Sequence, residues 1–387
     1  MTEYLLSDLL KIKNGRDHKH LEDGEIPVFG SGGIMRYAKE SLHEEESILL
    51  PRKGTLDNIQ YTNKPFWTVD TIYYTEVNKD KVDAYYLYHY LKLLDLSNLN
   101  SGTGVPSMTF GAYYGIKINL PELKIQKQIA KVLSDLDAKI EVNNKINQEL
   151  EALAKTIYDY WFVQFDFPDQ NGKPYKSSGG KMEYNEELKR EIPEGWEVKS
   201  LGEVAEIKRG KLVTEKTANL SGNVKVISAG IDYSYLHDEA NREKYTITVS
   251  GSGANAGFVN FWREPIFAND CSTVRGRNDF ETFIILQFLK LRQEYILKQA
   301  RGSAQPHVYP KDLAALKILI PNSDLFESYG QKVLALNEKI SNNNKENQKL
   351  AALRDWLLPM LMNGQVRVGH AKEQLGMVAE ENEKYTN

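Results

Sequence analysis

The feature that most constrains this chain is a long internal repeat. KIEVNNKINQELEAL, Lys139 to Leu153, aligns without a gap to KISNNNKENQKLAAL, Lys339 to Leu353, 200 residues downstream. Upstream, GIKINLPE (Gly115 to Glu122) lines up with ALKILIPN (Ala315 to Asn322), and Pro65, Asp70 and Pro106 meet Pro265, Asp270 and Pro306 at the same offset. Near the start, LLSDLLKIKNG (Leu5 to Gly15) resembles SLGEVAEIKRG (Ser200 to Gly210) with a few residues of slippage. A period this long means duplicated domains; periods of 20 to 50 residues mean solenoids. The chain must therefore build one unit twice.

Each unit has two parts. The first, about 1–121 and again 192–321, mixes β-type runs such as SILLP (Ser47 to Pro51), DTIYYTEV (Asp70 to Val77) and KYTITVS (Lys244 to Ser250) with helical runs such as VDAYYLYHYLKLL (Val82 to Leu94) and FETFIILQFLKLRQEYIL (Phe280 to Leu297). That pattern predicts an α+β globule. The second part, 122–162 and 322–362, predicts a long helix. Leu133, Leu136, Ile140, Asn143, Asn147, Leu150, Ala154 and Ile157 recur at spacings of three and four, as do Val333, Leu336, Ile340, Asn343, Asn347, Leu350, Arg354 and Leu357. Such a seam needs a partner, and the other copy's helix is the obvious one. The asparagines either fix register, or sit at a wet edge of the pair. Between the units, 163–191 is rich in Gly, Pro, Ser and charge and reads as a connector of limited order, and 363–387 as a solvated acidic tail.

Composition narrows the function. Lys plus Arg is 49 against 53 for Asp plus Glu, a net charge of −4, so no bulk positive charge attracts nucleic acid and a polyanion site must be local or completed by a partner. One cysteine, Cys271, excludes an intramolecular disulfide framework and a Cys-rich zinc site. No apolar run approaches the ~18 residues of a membrane span, and Glu3 and Asp8 stand where a signal peptide would be basic, which predicts a cytoplasmic chain. No P-loop occurs, because the Gly-Lys pairs at Gly172, Gly180 and Gly210 do not continue to Ser or Thr. GSGG (Gly30 to Gly33) and GSGANAG (Gly251 to Gly257) lack the strand and helix context of a dinucleotide site and read as turns. None of the 13 prolines is followed by another, as a catalytic tetrapeptide of an amino-methyltransferase requires, and the seven histidines show no metal spacing. The pattern predicts a binding protein rather than an enzyme.

Two similar globules on a helical spacer suit a linear target with two half-sites, and DNA is the commonest one. RKGTLDN (Arg52 to Asn58) is a basic, Gly-containing loop after an apolar strand, offering Arg52, Lys53 and Thr55. SGTGVPSMTFG (Ser101 to Gly111) offers Thr103 and Ser107, and its counterpart RGSAQPHVYP offers Arg301, Ser303, Gln305 and His307. VRGRND adds Arg275 and Arg277. These residue types bond phosphates and base edges. Lys53 has no basic counterpart in TVSGSG (Thr248 to Gly253), so the helices match while the loops differ.

LPRKGTLDNIQY with WTVDTIYY, then SGTGVPSMTFGAYYGIKINLPEL leading into IQKQIAKVLSDLDAKIEVNNKINQELEALAKTIYDYWFVQFDFP, resemble the specificity subunit of Type I restriction–modification systems, as do EIPEGWEVKSLGEVAEIKRGK and LRDWLLPMLMNGQVRV. The resemblance spans essentially the whole chain. It implies two target-recognition domains, each reading one half of an asymmetric bipartite site in double-stranded DNA. It implies that the two long helices pack as an antiparallel coiled coil, set the unread spacer and dock two methyltransferase subunits, with restriction–translocase subunits joining afterwards. S-adenosylmethionine, ATP and Mg would be used by those partners, and this chain would bind none directly and catalyse nothing. The alternatives are a self-contained DNA-cleaving enzyme and a regulatory decoy for methyltransferases.

Overall fold

The computed structural model describes residues 1–54, 56–99, 106–300, 306–321, 323–366 and Gly369. It divides into two compact units, Met1–Val142 with Glu346–Asn387, and Asn143–Lys345. The division falls within the long helices rather than at their ends.

Unit 1 runs β1 (Thr2–Leu5), α1 (Leu6–Leu9), β2 (Leu10–Asn14), β3 (Asp23–Gly30), β4 (Gly33–Ala38), β5 (Ser47–Pro51), β6 (Gln60–Thr62), β7 (Trp67–Thr68), β8 (Ile72–Val77), α2 (Ala84–Lys92), α3 (Phe110–Tyr114), β9 (Lys117–Leu120) and the first part of α4 (Leu123–Tyr158). Its larger sheet has the order β2-β8-β5-β6, all antiparallel, and its smaller sheet β4-β3-β7. β5 lies inside the sheet and is buried along its whole length, which suits the uninterrupted apolar run SILLP. Asp83 starts α2 by accepting a hydrogen bond from the Tyr86 N–H. β1 pairs antiparallel with β9, from Thr2 opposite Leu120 to Leu5 opposite Lys117.

Unit 2 begins with the rest of α4, which ends in a π-helical turn, Asp159–Val163. Then come β10 (Met182–Asn185), β11 (Arg190–Pro193), β12 (Glu197–Ser200), α5 (Leu201–Val204), β13 (Ala205–Arg209), β14 (Val224–Ile227), β15 (Tyr235–His237), β16 (Thr246–Ser250), β17 (Val259–Trp262), β18 (Ile266–Ala268), β19 (Cys271–Gly276), α6 (Asp279–Leu291), α7 (Gln293–Lys298), α8 (Pro310–Ala314), β20 (Lys317–Ile320) and the first part of α9 (Ser323–Met362). The sheets repeat those of unit 1: β13-β19-β16-β17, β15-β14-β18, and β12 paired with β20 in the register of β1 with β9.

Two sequence expectations change. The helical run 280–297 is two helices, broken at Arg292, because the Gln293 side chain turns back to accept from the Val259 N–H and donate to the Gly257 carbonyl. The connector is ordered. β10 and β11 form a hairpin, the Tyr175 ring stacks on Phe167 at 4.6 Å, and Phe167 stacks on Trp196 at 5.4 Å. Asp166 accepts from the Ser177 N–H and hydroxyl, which lowers its pKa. Turn chemistry and aromatic burial thus replace the flexibility that Gly and Ser suggest.

The helices complete the cores. In unit 1, Leu6, Ile48, Leu50, Leu87 and Ile118 of the globule share one cluster with Leu133 and Leu136 of α4 and Leu350, Leu357 and Leu361 of α9. In unit 2, Ile247, Val249, Phe283 and Ile318 share one with Tyr158 and Phe162 from the first helix and Tyr329 and Val333 from α9. Each fully buried leucine contributes about 1.5–3 kcal/mol relative to exposure, so neither globule closes its core without the helices.

Candidate nucleic-acid interface

In unit 1 the chain leaves β5 at a point pinned from several sides. The Arg52 and Lys53 N–H groups both donate to the Thr71 carbonyl, at 2.9 and 3.2 Å. The Tyr113 hydroxyl donates to the Pro51 carbonyl at 2.7 Å, the Met108 N–H to the Arg52 carbonyl and the Gly54 N–H to the Pro106 carbonyl. Lys53 and Ser107 form a β-bridge. Gly54 has φ +88°, so the turn itself asks for glycine. On this fixed backbone the Arg52 guanidinium donates to the Asp70 carbonyl and lies 5.8 Å from the Tyr73 ring centre. Burial raises the Tyr73 pKa and Arg52 opposes it, so the phenol stays neutral and donates to the Met108 carbonyl. Neither Arg52 nor Lys53 forms an ion pair with a carboxylate among the described residues. Two cations on a pinned backbone, without a carboxylate partner among the described residues, suit a phosphate or a guanine edge.

Unit 2 builds the same backbone with other chemistry. Gly251, Ser252 and Gly253 follow β16; the Gly253 N–H donates to the Pro306 carbonyl, the Val308 N–H to the Gly251 carbonyl, and Ser252 bridges His307. Gly253 also has a positive φ, +75°. The Ser252 hydroxyl donates to Asp270 at 2.5 Å, an Arg209 guanidinium nitrogen lies 3.9 Å from the other Asp270 oxygen, and the His307 ring stacks on Tyr309. Where unit 1 shows two cations on the loop itself, unit 2 shows hydroxyl and imidazole there, with the Asp270 carboxylate near Arg209 beside them.

The structure therefore brings Arg52, Lys53 and Ser107 together in one unit and places His307 at the matching loop of the other. It does not bring Arg275 and Arg277 to that edge. Arg275 lies at the far end of β19 from Asp270, about 16 Å away at ~3.3 Å per strand residue, and Arg277 follows just past that end. Arg275 pairs with Asp279 at 3.0 Å and Glu243 at 3.4 Å, and Arg277 with Glu281 at 2.7 Å, which raises its pKa. They brace the start of α6. Thr55, Thr103, Arg301, Ser303 and Gln305 lie outside the described residues. The residues that sequence reasoning missed at this edge are Thr71, Asp270 and Arg209. The recurrence of Asp70 and Asp270 at the 200-residue offset was the available signal.

Along α4 and α9, every described seam side chain is buried or half-buried. In unit 1, Leu136 and Leu350 are buried and Ile140 half-buried in one cluster; Arg354 donates to Asp137 at 2.6 Å, and Lys139 lies 3.7 Å from Glu346. In unit 2, Asn343 donates to the Asn147 amide oxygen and Asn147 to Asn344, both at 2.8 Å, while Tyr158 meets Tyr329. Leu336 and Ile340 are half-buried and buried there, Leu150 is half-buried, and Asn347 is half-buried in unit 1. Within each unit, higher numbers on α4 meet lower numbers on α9, so the helices are antiparallel. Asn143 and Asn343 are 2 % and 3 % exposed, which removes them from any wet edge.

The family model for the Type I restriction modification DNA specificity domain matches residues 1–152 and again 193–351. The chain belongs to this family. Its relatives include the Type I restriction enzyme MjaIX specificity subunit of Methanocaldococcus jannaschii, 26% identical over 83% of this chain and 78% of the relative. The MjaVIII specificity subunit of the same organism is 27% identical over 90% of this chain and 85% of its own length. A crystal structure of a Type I restriction–modification S subunit from M. genitalium shares the fold, with TM-score 0.58 and 20% identity over 93% of this chain and 95% of that one. The two family matches fall on the two copies of the repeat, so membership rests on each copy separately. Among the described residues no group of three or more His, Cys, Asp or Glu is arranged to hold a metal ion, and no helix is long and apolar enough to cross a membrane.

Proposed function

We propose that this chain is the DNA-recognition subunit of a Type I restriction–modification complex, acting in the cytoplasm without catalysis of its own. Each globule reads one half of a bipartite, asymmetric site in double-stranded DNA. The long helices set the unread spacer and dock two methyltransferase subunits, which use S-adenosylmethionine; restriction–translocase subunits using ATP and Mg join them. The observation that carries this reading is one backbone scaffold built twice with unlike side chains at the same loop: Arg52 and Lys53 in unit 1, Gly251 and Ser252 in unit 2. A scaffold kept constant under changed chemistry suits two different half-sequences.

The test is DNA binding by the chain assembled with its methyltransferase subunits, using duplexes altered in one half-site at a time. Lys53→Ala is expected to weaken binding and lower the slope of log affinity against log salt by about 1 if it neutralises a phosphate. Arg52→Ala is expected to cost about 1–3 kcal/mol and relax discrimination in one half-site only. Equal loss of discrimination in both halves, or none in either, would overturn the assignment.

A further inference from the structure

Beside the reading loop of each unit stands a β-hairpin that exposes large apolar side chains, on its second strand in unit 1 and on its turn in unit 2, and no function described above uses them. In unit 1 it joins β3 to β4 through Gly30, Ser31, Gly32 and Gly33. Met35 is 58 % exposed, and Tyr37, two residues along the same strand face, is exposed as well. In unit 2 the turn between β14 and β15 exposes Ile231, at 54 %, and Tyr233. Isolated exposed apolar residues are ordinary, but the same hairpin exposes them in both units.

The hairpins are fastened to the loops. The Ser31 N–H donates to the Thr71 hydroxyl, Asn58 donates to the Ser31 carbonyl at 2.7 Å and Gln60 to the Gly30 carbonyl at 3.0 Å. Thr71 is the residue whose carbonyl holds Arg52 and Lys53, and the Ser31 hydroxyl lies 3.4 Å from where a side chain on Gly54 would begin. The Met35 sulfur lies so close over Gly30 that a Cβ there would stand 2.6 Å from it. Glycine at position 30 thus seats Met35 across the hairpin, on the side where a Cβ would also meet the Thr71 hydroxyl. In unit 2, Ser250 donates to the Gly230 carbonyl and Asn260 to the Ile231 carbonyl, with Ser252 two residues beyond Ser250. An apolar hairpin surface hydrogen-bonded to a polar reading loop complements the apolar feature of a major-groove edge, the thymine C5-methyl group.

We infer that these hairpins are base-reading elements, in which Met35 with Tyr37 along β4, and Ile231 with Tyr233 on the turn between β14 and β15, contact thymine methyl groups in their respective half-sites. The inference rests on the DNA-recognition reading and adds specificity residues to it. Met35 and Ile231 are each more than half exposed, so alanine at either leaves the fold intact, and a melting temperature unchanged from the parent chain checks this. The experiment measures binding of the complex with methyltransferase subunits to duplexes in which each thymine in turn is replaced by uracil, which lacks only the methyl. Met35→Ala is expected to weaken binding about 10-fold, the low end for one apolar contact, with an unchanged salt slope and with one thymine-to-uracil position no longer mattering. Met35→Leu is expected to restore most of the affinity, and Ile231→Ala to act on the other half-site. If Met35→Ala leaves affinity and every uracil effect unchanged while Lys53→Ala still lowers the salt slope, this inference fails and the recognition reading stands. If neither variant has an effect, the recognition reading fails with it. Loss of methyltransferase assembly at undiminished DNA affinity would instead make the hairpin a protein contact and overturn the inference.

Discussion

The amide pair at the helix seam gives a sharp energetic prediction. Asn343 is nearly inaccessible and donates to Asn147, which is half-buried and donates onward to the exposed Asn344. Replacing Asn343 by leucine leaves the Asn147 oxygen without its donor. An unsatisfied buried polar group costs about 1–3 kcal/mol; because Asn147 keeps some access to water, the lower half, about 1–2 kcal/mol, applies. Asn147→Leu alone strands the more deeply buried Asn343 amide, so the upper half applies. The double variant strands neither, since Asn344 faces water, and should regain or exceed the parent stability. The two single losses together exceed the loss in the double variant by about 3–5 kcal/mol, which is the coupling expected between the two sites. Urea unfolding of the full chain, with the transition of unit 2 followed by the fluorescence of Trp161, Trp196 and Trp262, measures all four corners of the cycle. Additive effects, with coupling below about 0.3 kcal/mol, would show that the amides act independently and refute their role as a matched pair.

Other consequences follow from single sites. Burial lowers the His89 pKa to about 4, against the nearby Asp137 carboxylate, which opposes the shift. Between an ordinary ~6.5 and about 4 the unfolded chain takes up a proton that the folded chain refuses, so unit 1 should lose up to about 3 kcal/mol as pH falls through that window; His89→Phe should flatten that slope, and an identical pH dependence in the variant would contradict the cause given. Arg263 donates to Asn337 and Glu151, tying β17 to both helices of unit 2. Arg263→Met should destabilise by about 1–3 kcal/mol, because Glu151 is partly solvated, and adding Glu151→Met should recover part of the loss in thermal melts. Ile340→Asp places an unpaired carboxylate in a buried seam position, whereas Ile140→Asp enters a half-buried one; the first should lower the urea midpoint more than the second, and both should reduce recovery of methyltransferase subunits in co-purification.

The sequence carried the large-scale plan because duplication writes it twice. The offset of 200 residues predicted one unit repeated, and the sheet orders β2-β8-β5-β6 and β13-β19-β16-β17 are the same order. The three-and-four spacing predicted the long helices, since a buried stripe leaves a period that survives in one sequence. What stayed hidden depends on long-range geometry. β1 and β9 pair across more than a hundred residues, and short strands such as Thr2–Leu5 carry no record of their partner. Arg275 and Arg277 looked like any basic turn; only the direction of β19 shows that they point away from the reading loops, toward Asp279 and Glu281. The connector misled because its Gly and Ser content outweighed Phe165 and Phe167, whose burial is decided by the core they reach, Trp196 beyond the connector included.

The central claim, that this chain directs methylation to a bipartite DNA site, is tested most directly by mapping modified bases across the genome of cells that express its methyltransferase partners, with and without this chain. The account predicts that methyladenine disappears from one bipartite motif when the chain is removed, and that the Arg52→Ala variant relaxes one half of that motif alone. An unchanged methylation map in cells lacking the chain would contradict it.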